Sequence, residues 1–302
     1  MSATVPDPDE WYSTVYGIPR PKWEKISDWI TLEADADRFD EAWDTVVTNW
    51  LHRVADALDA RYQVAESPHF LLLAPNNESE CLMMLTGAER TYHHITTLLG
   101  ELCSIHFGRI AVLRLSEEHY EPYTAYYHGA DEGPAPKSSG MYFHGAYPHI
   151  ALHAKRASGI EQILAHELTH FCTGHMRLPT WISEGIAMSL ETLARSPRRL
   201  TGRVLERHQA FWNADNVQDF WSGATWGEAG PGFELSYGLA AALYDTIQSD
   251  LRPDPEDFRA FLGHADPRDA GAASAQKYLG VDLGELVEGI LGPGDWTPQP
   301  WR

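Results

Sequence analysis

The sequence predicts an α+β fold, with a mixed first half built around a small sheet and a nearly all-helical second half. Two observations carry this. In the first half, short apolar runs at 70–75 (FLLLAP) and 109–115 (RIAVLRL) alternate with helical periodicity. From Ser158 to about Leu291 the pattern is mostly helical, with breaks at Pro197, Gly230-Pro231 and Pro253. The expected organisation is an N-terminal arm (1–30), a mixed α/β subdomain with an edge strand (31–155) and a helical subdomain (156–302), with a cleft between the two subdomains.

In chain order, Pro6, Pro8, Pro19 and Pro21 among tryptophans and tyrosines predict an extended arm laid down through Trp11, Trp23 and Trp29. Phe39, Trp43, Val46, Val47, Trp50, Val54 and Leu58 recur at three- and four-residue spacing, which predicts a helix from about Asp37 to Leu58. Residues 70–75 read as a buried strand ended by proline, and Glu78 to Leu102 as a long helix. A second strand follows at 109–115, then an aromatic helix from Tyr120 to Tyr127 and a turn-rich loop at 129–140. MYFHGAYPHIALH (141–153) reads as two short strands or one broken strand, interrupted by Gly145 and Pro148.

Composition narrows the function. Of 302 residues, 43% are hydrophobic and 22% charged, ordinary values for a globular chain. Lys and Arg number 23 against 43 Asp and Glu, a net charge of −20 that repels phosphate backbones and argues against a nucleic-acid partner. Three cysteines, Cys81, Cys103 and Cys172, form no C-x-x-C pair and suit a reducing compartment. The start, MSATVPDPDEWYSTVYG, lacks a basic stretch followed by an apolar run. No window approaches the roughly 18 apolar residues of a membrane span. A soluble, cytoplasmic protein with no membrane partner is expected.

The chemistry is concentrated in His166-Glu167-Leu168-Thr169-His170, an H-E-x-x-H sequence. On a helix, residues four apart lie about 40° apart around the axis, so both imidazoles can face one metal ion. Glu167 sits about 100° from His166, close enough to reach a metal-bound water without ligating the metal. Ser158 and Glu161 form an S-x-x-E capping box before an apolar run of Ile160, Ile163, Leu164, Leu168 and Phe171, and Gly174 is placed to end the helix. Leu178-Pro179-Thr180-Trp181 then predicts a second helix with Thr180 as its N-cap, carrying Glu184 14 positions after His170. Two histidines and a carboxylate leave one vertex open on zinc, as a catalytic site requires. The expected ligands are His166, His170 and Glu184, the expected cofactor is Zn2+, and the expected general base is Glu167.

H-E-L-T-H followed by L-P-T-W-I-S-E-G-I-A resembles the gluzincin metallopeptidases, in particular the bacterial peptidase MA-like group, whose members show H-E-x-x-H and then P-x-W-x-x-E-G-x-A. The resemblance is specific over 158–195 and weaker over 62–153, where the order of elements matches. Residues 234–247 (ELSYGLAAALYDTI) resemble the helix that follows the site in that family. The resemblance implies a zincin-like fold, one zinc ion and peptide-bond hydrolysis, with Glu184 as third ligand and Glu167 as base. One position departs from the thermolysin-like pattern. The acidic residue expected one turn after the ligand glutamate is Met188 here, with Glu191 two turns on.

Weaker candidates stay open. Tyr237 is the candidate for stabilising the oxyanion, against a packed tyrosine whose hydroxyl is simply hydrogen-bonded. His144, His149 and His153 fall in the expected edge strand; the resemblance implies that such a strand pairs with extended substrate by β-addition, so any one of them could donate to substrate, or be an ordinary surface or satisfied histidine. His175 is equally ambiguous. His93 and His94 read as structural, Cys172 as a small buried hydrophobe and Trp181 as packing the second helix onto the first. The expected function is a zinc-dependent metallopeptidase acting on a peptide or protein substrate, with the acidic surface favouring a basic one. The alternatives are another zinc-dependent amide or ester hydrolase, a modifying enzyme on one dedicated partner, or a non-catalytic zincin-fold binding protein.

Overall fold

The computed structural model describes residues 5–34, 38–58, 61–75, 77–103, 107–127, 138–154, 159–191, 199–227 and 230–300. Ser158, Pro197 and most of the 129–140 loop lie outside these residues. The chain is α+β and divides into two compact units, residues 1–94 with 104–171, and residues 95–103 with 172–302.

The first unit opens with an antiparallel hairpin where the sequence suggests an extended arm. Strands β1 (Tyr12–Val15) and β2 (Ile18–Pro21) pair with Val15 opposite Ile18. Tyr16 and Gly17, both at positive φ (51° and 77°), make the two-residue turn that matches strand twist. Pro19 and Pro21 sit opposite Thr14 and Tyr12, alternating with the Val15–Ile18 pair, where a ribbon needs no amide donor. That is why a proline-rich segment can still pair. Helix α1 (Trp23–Glu33) follows and buries Trp23, Ile26 and Ile30.

Helix α2 (Phe39–Leu58) lies where its periodicity predicts. Among the described residues the main sheet has five strands in the order β3 (Tyr62–Glu66), β4 (Phe70–Pro75), β5 (Ile110–Leu115), β7 (His149–His153) and β6 (Gly140–Phe143). The three inner strands are parallel and the outer two antiparallel to their neighbours. Strand β4 is a continuous apolar run, and β5 is one but for Arg114, because both faces are covered. On one face, Trp43, Val47, Trp50 and Val54 of α2 share a core with Leu71, Leu73, Ala111 and Leu113. On the other, Met84, Leu85 and Ala88 of α3 (Glu78–Leu99) and Leu164 converge on Phe70, Leu72 and Val112. Helix α4 (Glu117–Tyr127) precedes β6, and α5 (Ile160–Thr173) follows β7. Of the two strands from the 141–153 stretch, only β6 is an edge strand, with β3 at the opposite edge of the sheet, and β7 is interior.

The second unit is helical. Its central pair is α6 (Thr180–Leu190) and α9 (Pro231–Thr246), flanked by α7 (Gly202–Phe211), α8 (Val217–Ser222), α10 (Pro255–Gly263) and a C-terminal helix, Leu283–Leu291. Gly185 lets α6 and α9 approach closely, since a Cβ there would lie 2.8 Å from the Ala240 carbonyl oxygen. Trp181 is fully buried, its ring against Trp221 and its Nε1 donating to the Ala270 carbonyl at 2.9 Å. Thr180 does not cap α6. Extended Pro179 takes that place, and Thr180 is the first helical residue. The reason is visible at Gly223, where a Cβ would meet Thr180 Oγ1 at 2.7 Å, so the hydroxyl faces a neighbouring turn. Among the described residues no helix is long and apolar enough to cross a membrane.

Candidate metal centre

Helix α5 carries His166 and His170 one turn apart, held in place because Ile160, Leu164, Leu168 and Phe171 are all buried on its inner side. Their Nε2 atoms face each other at 3.0 Å, with the rings tilted by 75°. Glu184 lies in the second turn of α6, and its Oε2 is shielded from solvent. One ligand atom from each of His166, His170 and Glu184 lies within 4.8 Å of the others. Each of the three side chains is partly buried.

This donor set fits zinc. Two imidazole nitrogens and a carboxylate oxygen are borderline ligands of the kind that ion takes, in a three-residue set with a vertex to spare. The nitrogen separation of 3.0 Å fits as well. It is short enough for both imidazoles to hold one zinc ion at the usual distance of about 2.0–2.1 Å each.

Glu167 points elsewhere on α5, as its place in the helix requires. Its Oε2 accepts the backbone N–H of Tyr142, on edge strand β6, at 2.7 Å. Tyr120 lies close to the same carboxylate. Burial, above all, raises the Tyr120 phenol to about 12, with the Glu167 charge adding to the rise and a hydrogen bond with Ser138 opposing it. Gly140 completes the contact. A Cβ there would meet Ile163 Cγ2 at 2.5 Å, Glu167 Cγ at 3.0 Å and Leu152 Cδ2 at 3.1 Å. Sequence reasoning missed Tyr120, Gly140 and Tyr142. The available signal was a glycine opening a short strand, which marks a close backbone approach.

The weaker candidates separate. His149 belongs to interior β7 and is 1% exposed, so its placement on an edge strand facing substrate is incorrect. Tyr123 Oη lies 2.6 Å from His149 Nε2, and His149 Nδ1 lies 3.3 Å from the Tyr147 carbonyl. The ring is thus a neutral Nδ1–H tautomer, and desolvation pushes its pKa down to about 3. His153, also on β7, is half-buried with its ring against Tyr120. His144 is exposed just beyond β6, and His175 is exposed in the turn after α5. His93 and His94 are exposed on α3. Cys172 is buried, as expected. Tyr237 is half-buried on α9, its ring against Trp226 and Phe233 with centroids 6.1 and 5.2 Å away.

Compared with known proteins, the chain matches no family model, no curated protein and no solved structure.

Proposed function

We propose that the protein is a zinc-dependent hydrolase of zincin-like fold, similar to the gluzincins, that cleaves peptide bonds. The observation that carries this reading is the convergence of His166, His170 and Glu184 ligand atoms within 4.8 Å, with Glu167 next in sequence to a ligand but outside the set. His166 and His170 would hold the ion through Nε2, and Glu184 through a carboxylate oxygen. A zinc ion bound there supplies a Lewis acid that polarises a carbonyl and makes water acidic enough to ionise near neutral pH.

The remaining work falls to side chains. Glu167 removes a proton from the attacking water and passes it to the leaving amine. Its Oε2 accepts the Tyr142 amide at 2.7 Å, which helps to fix the orientation of the carboxylate. Tyr237 is assigned the developing oxyanion, which it would stabilise by donating its phenolic proton in a hydrogen bond. The net charge of −20 favours a basic peptide or protein substrate by long-range attraction.

The test is a purified preparation assayed for zinc and for cleavage of a mixed peptide library. One zinc per chain and cleavage abolished by a chelator support the reading. A reconstituted protein that binds no zinc would sink it.

A further inference from the structure

Strand β6 owes its position to a missing side chain. Ser139 accepts a hydrogen bond from the His153 amide, and Met141 pairs with Ala151, so these residues face β7. By strand alternation Gly140 and Tyr142 turn their amides and carbonyls outward, away from the sheet. The outward Tyr142 amide would ordinarily face water. Here it meets Glu167 Oε2 at 2.7 Å, a charge-assisted bond at the short end of its range. It can do so only because β6 lies flat against α5 at Gly140. Any Cβ there would overlap Ile163 Cγ2 at 2.5 Å and press Glu167 Cγ at 3.0 Å. Both contacts push the strand away from the helix that carries the carboxylate.

We propose that Gly140 is a positioning residue for the general base: lacking a Cβ, it docks the edge strand on α5 so that the Tyr142 amide fixes the Glu167 carboxylate. This rests on the hydrolase reading for its catalytic consequence, though the contact itself does not. A carboxylate that accepts this hydrogen bond loses rotamer freedom, the pre-organisation that proton transfer needs. The same bond removes one amide from the outer edge of β6. An extended chain pairing there would find Gly140 and the Tyr142 carbonyl, with the Tyr142 amide already taken.

The experiment labels the 13 tyrosines with 15N and identifies the Tyr142 amide by its disappearance in Tyr142→Phe. In the wild type this proton should resonate downfield and exchange slowly, and in Glu167→Ala it should move upfield and exchange faster. Gly140→Ala should reproduce that change, with zinc content intact, KM within twofold and kcat lower by roughly ten- to a hundredfold. Adding Ile163→Ala removes the Cγ2 that the new methyl strikes, and should restore both the resonance and kcat. Should Gly140→Ala fail to fold, the double variant and Glu167→Ala carry the test. A Tyr142 amide unmoved in Glu167→Ala or in Gly140→Ala overturns the proposal, as does a displaced amide with undiminished kcat. If even the wild type cleaves no peptide, the hydrolase reading fails, while the resonance still decides whether Gly140 holds Glu167.

Discussion

The Nε2 atoms of His166 and His170 face one another across 3.0 Å on a single helix. Two such nitrogens repel unless a proton or a cation sits between them. Glu184 brings a carboxylate oxygen to within 4.8 Å of both imidazoles. On the proposed reading, a divalent cation would be held by all three groups at once. The following outcomes are expected from that arrangement.

Replacing Glu167 by Gln keeps the shape of the side chain and removes its basicity. Zinc content should stay at that of the wild type, while kcat falls by roughly 10²–10⁴-fold. Metal analysis beside a peptide-cleavage assay checks this. Activity preserved in the variant would remove Glu167 from the role of base.

Tyr237→Phe should lower kcat by about 10²-fold with little change in KM, since an oxyanion donor acts in the transition state. Steady-state kinetics on a cleaved peptide decides. Full turnover would reduce Tyr237 to a packing residue against Trp226 and Phe233.

Gly185→Ala places a methyl 2.8 Å from the Ala240 carbonyl and 3.0 Å from Tyr244 Cβ. Helix α6 must then shift from α9, at a cost of about 1–3 kcal/mol. Because Glu184 is the adjacent residue, zinc affinity should weaken along with thermal stability. Chelator competition and thermal unfolding, run on the same sample, should move together. Lower stability with unchanged zinc affinity would separate Glu184 from the metal.

His149 sets an acid limit on the fold. Desolvation holds its folded pKa at about 3, below the unfolded value of about 6.5. A depressed histidine pKa means that the unfolded chain binds more protons between these values. Its contribution is therefore complete above about pH 6.5 and declines as pH falls towards 3, reaching a few kcal/mol. His149→Phe should be less stable at pH 8, because Tyr123 loses its acceptor, yet lose less between pH 6.5 and 5 than the wild type. Urea unfolding at several pH values measures this, and parallel acid losses in the two proteins would contradict it.

Much of this was legible in sequence where the signal is local. The apolar positions of α2 and α5 recur with the period of a helix, and the H-E-x-x-H pair needs only that period to bring its imidazoles together. Glu184 was legible from a short connection between two helices. What escaped depends on distant partners. The hairpin at 12–21 was hidden because its prolines occupy positions that need no donor, which a composition reading cannot distinguish from an extended arm. His149 was misplaced because the chain runs β6 and then β7, yet β7 inserts next to β5. The contact of Gly140 and Tyr142 with Glu167 joins residues some two dozen positions apart, and no local pattern reports it.

The most direct test of the account is zinc K-edge X-ray absorption on protein loaded with one equivalent of zinc, compared with Glu184→Ala. The expected first shell has two imidazole nitrogens and oxygen donors at about 2.0–2.2 Å, with the imidazole count kept and one oxygen donor exchanged or lost in the variant. A shell containing sulfur, a single imidazole, or a spectrum identical in Glu184→Ala would contradict the three-residue site.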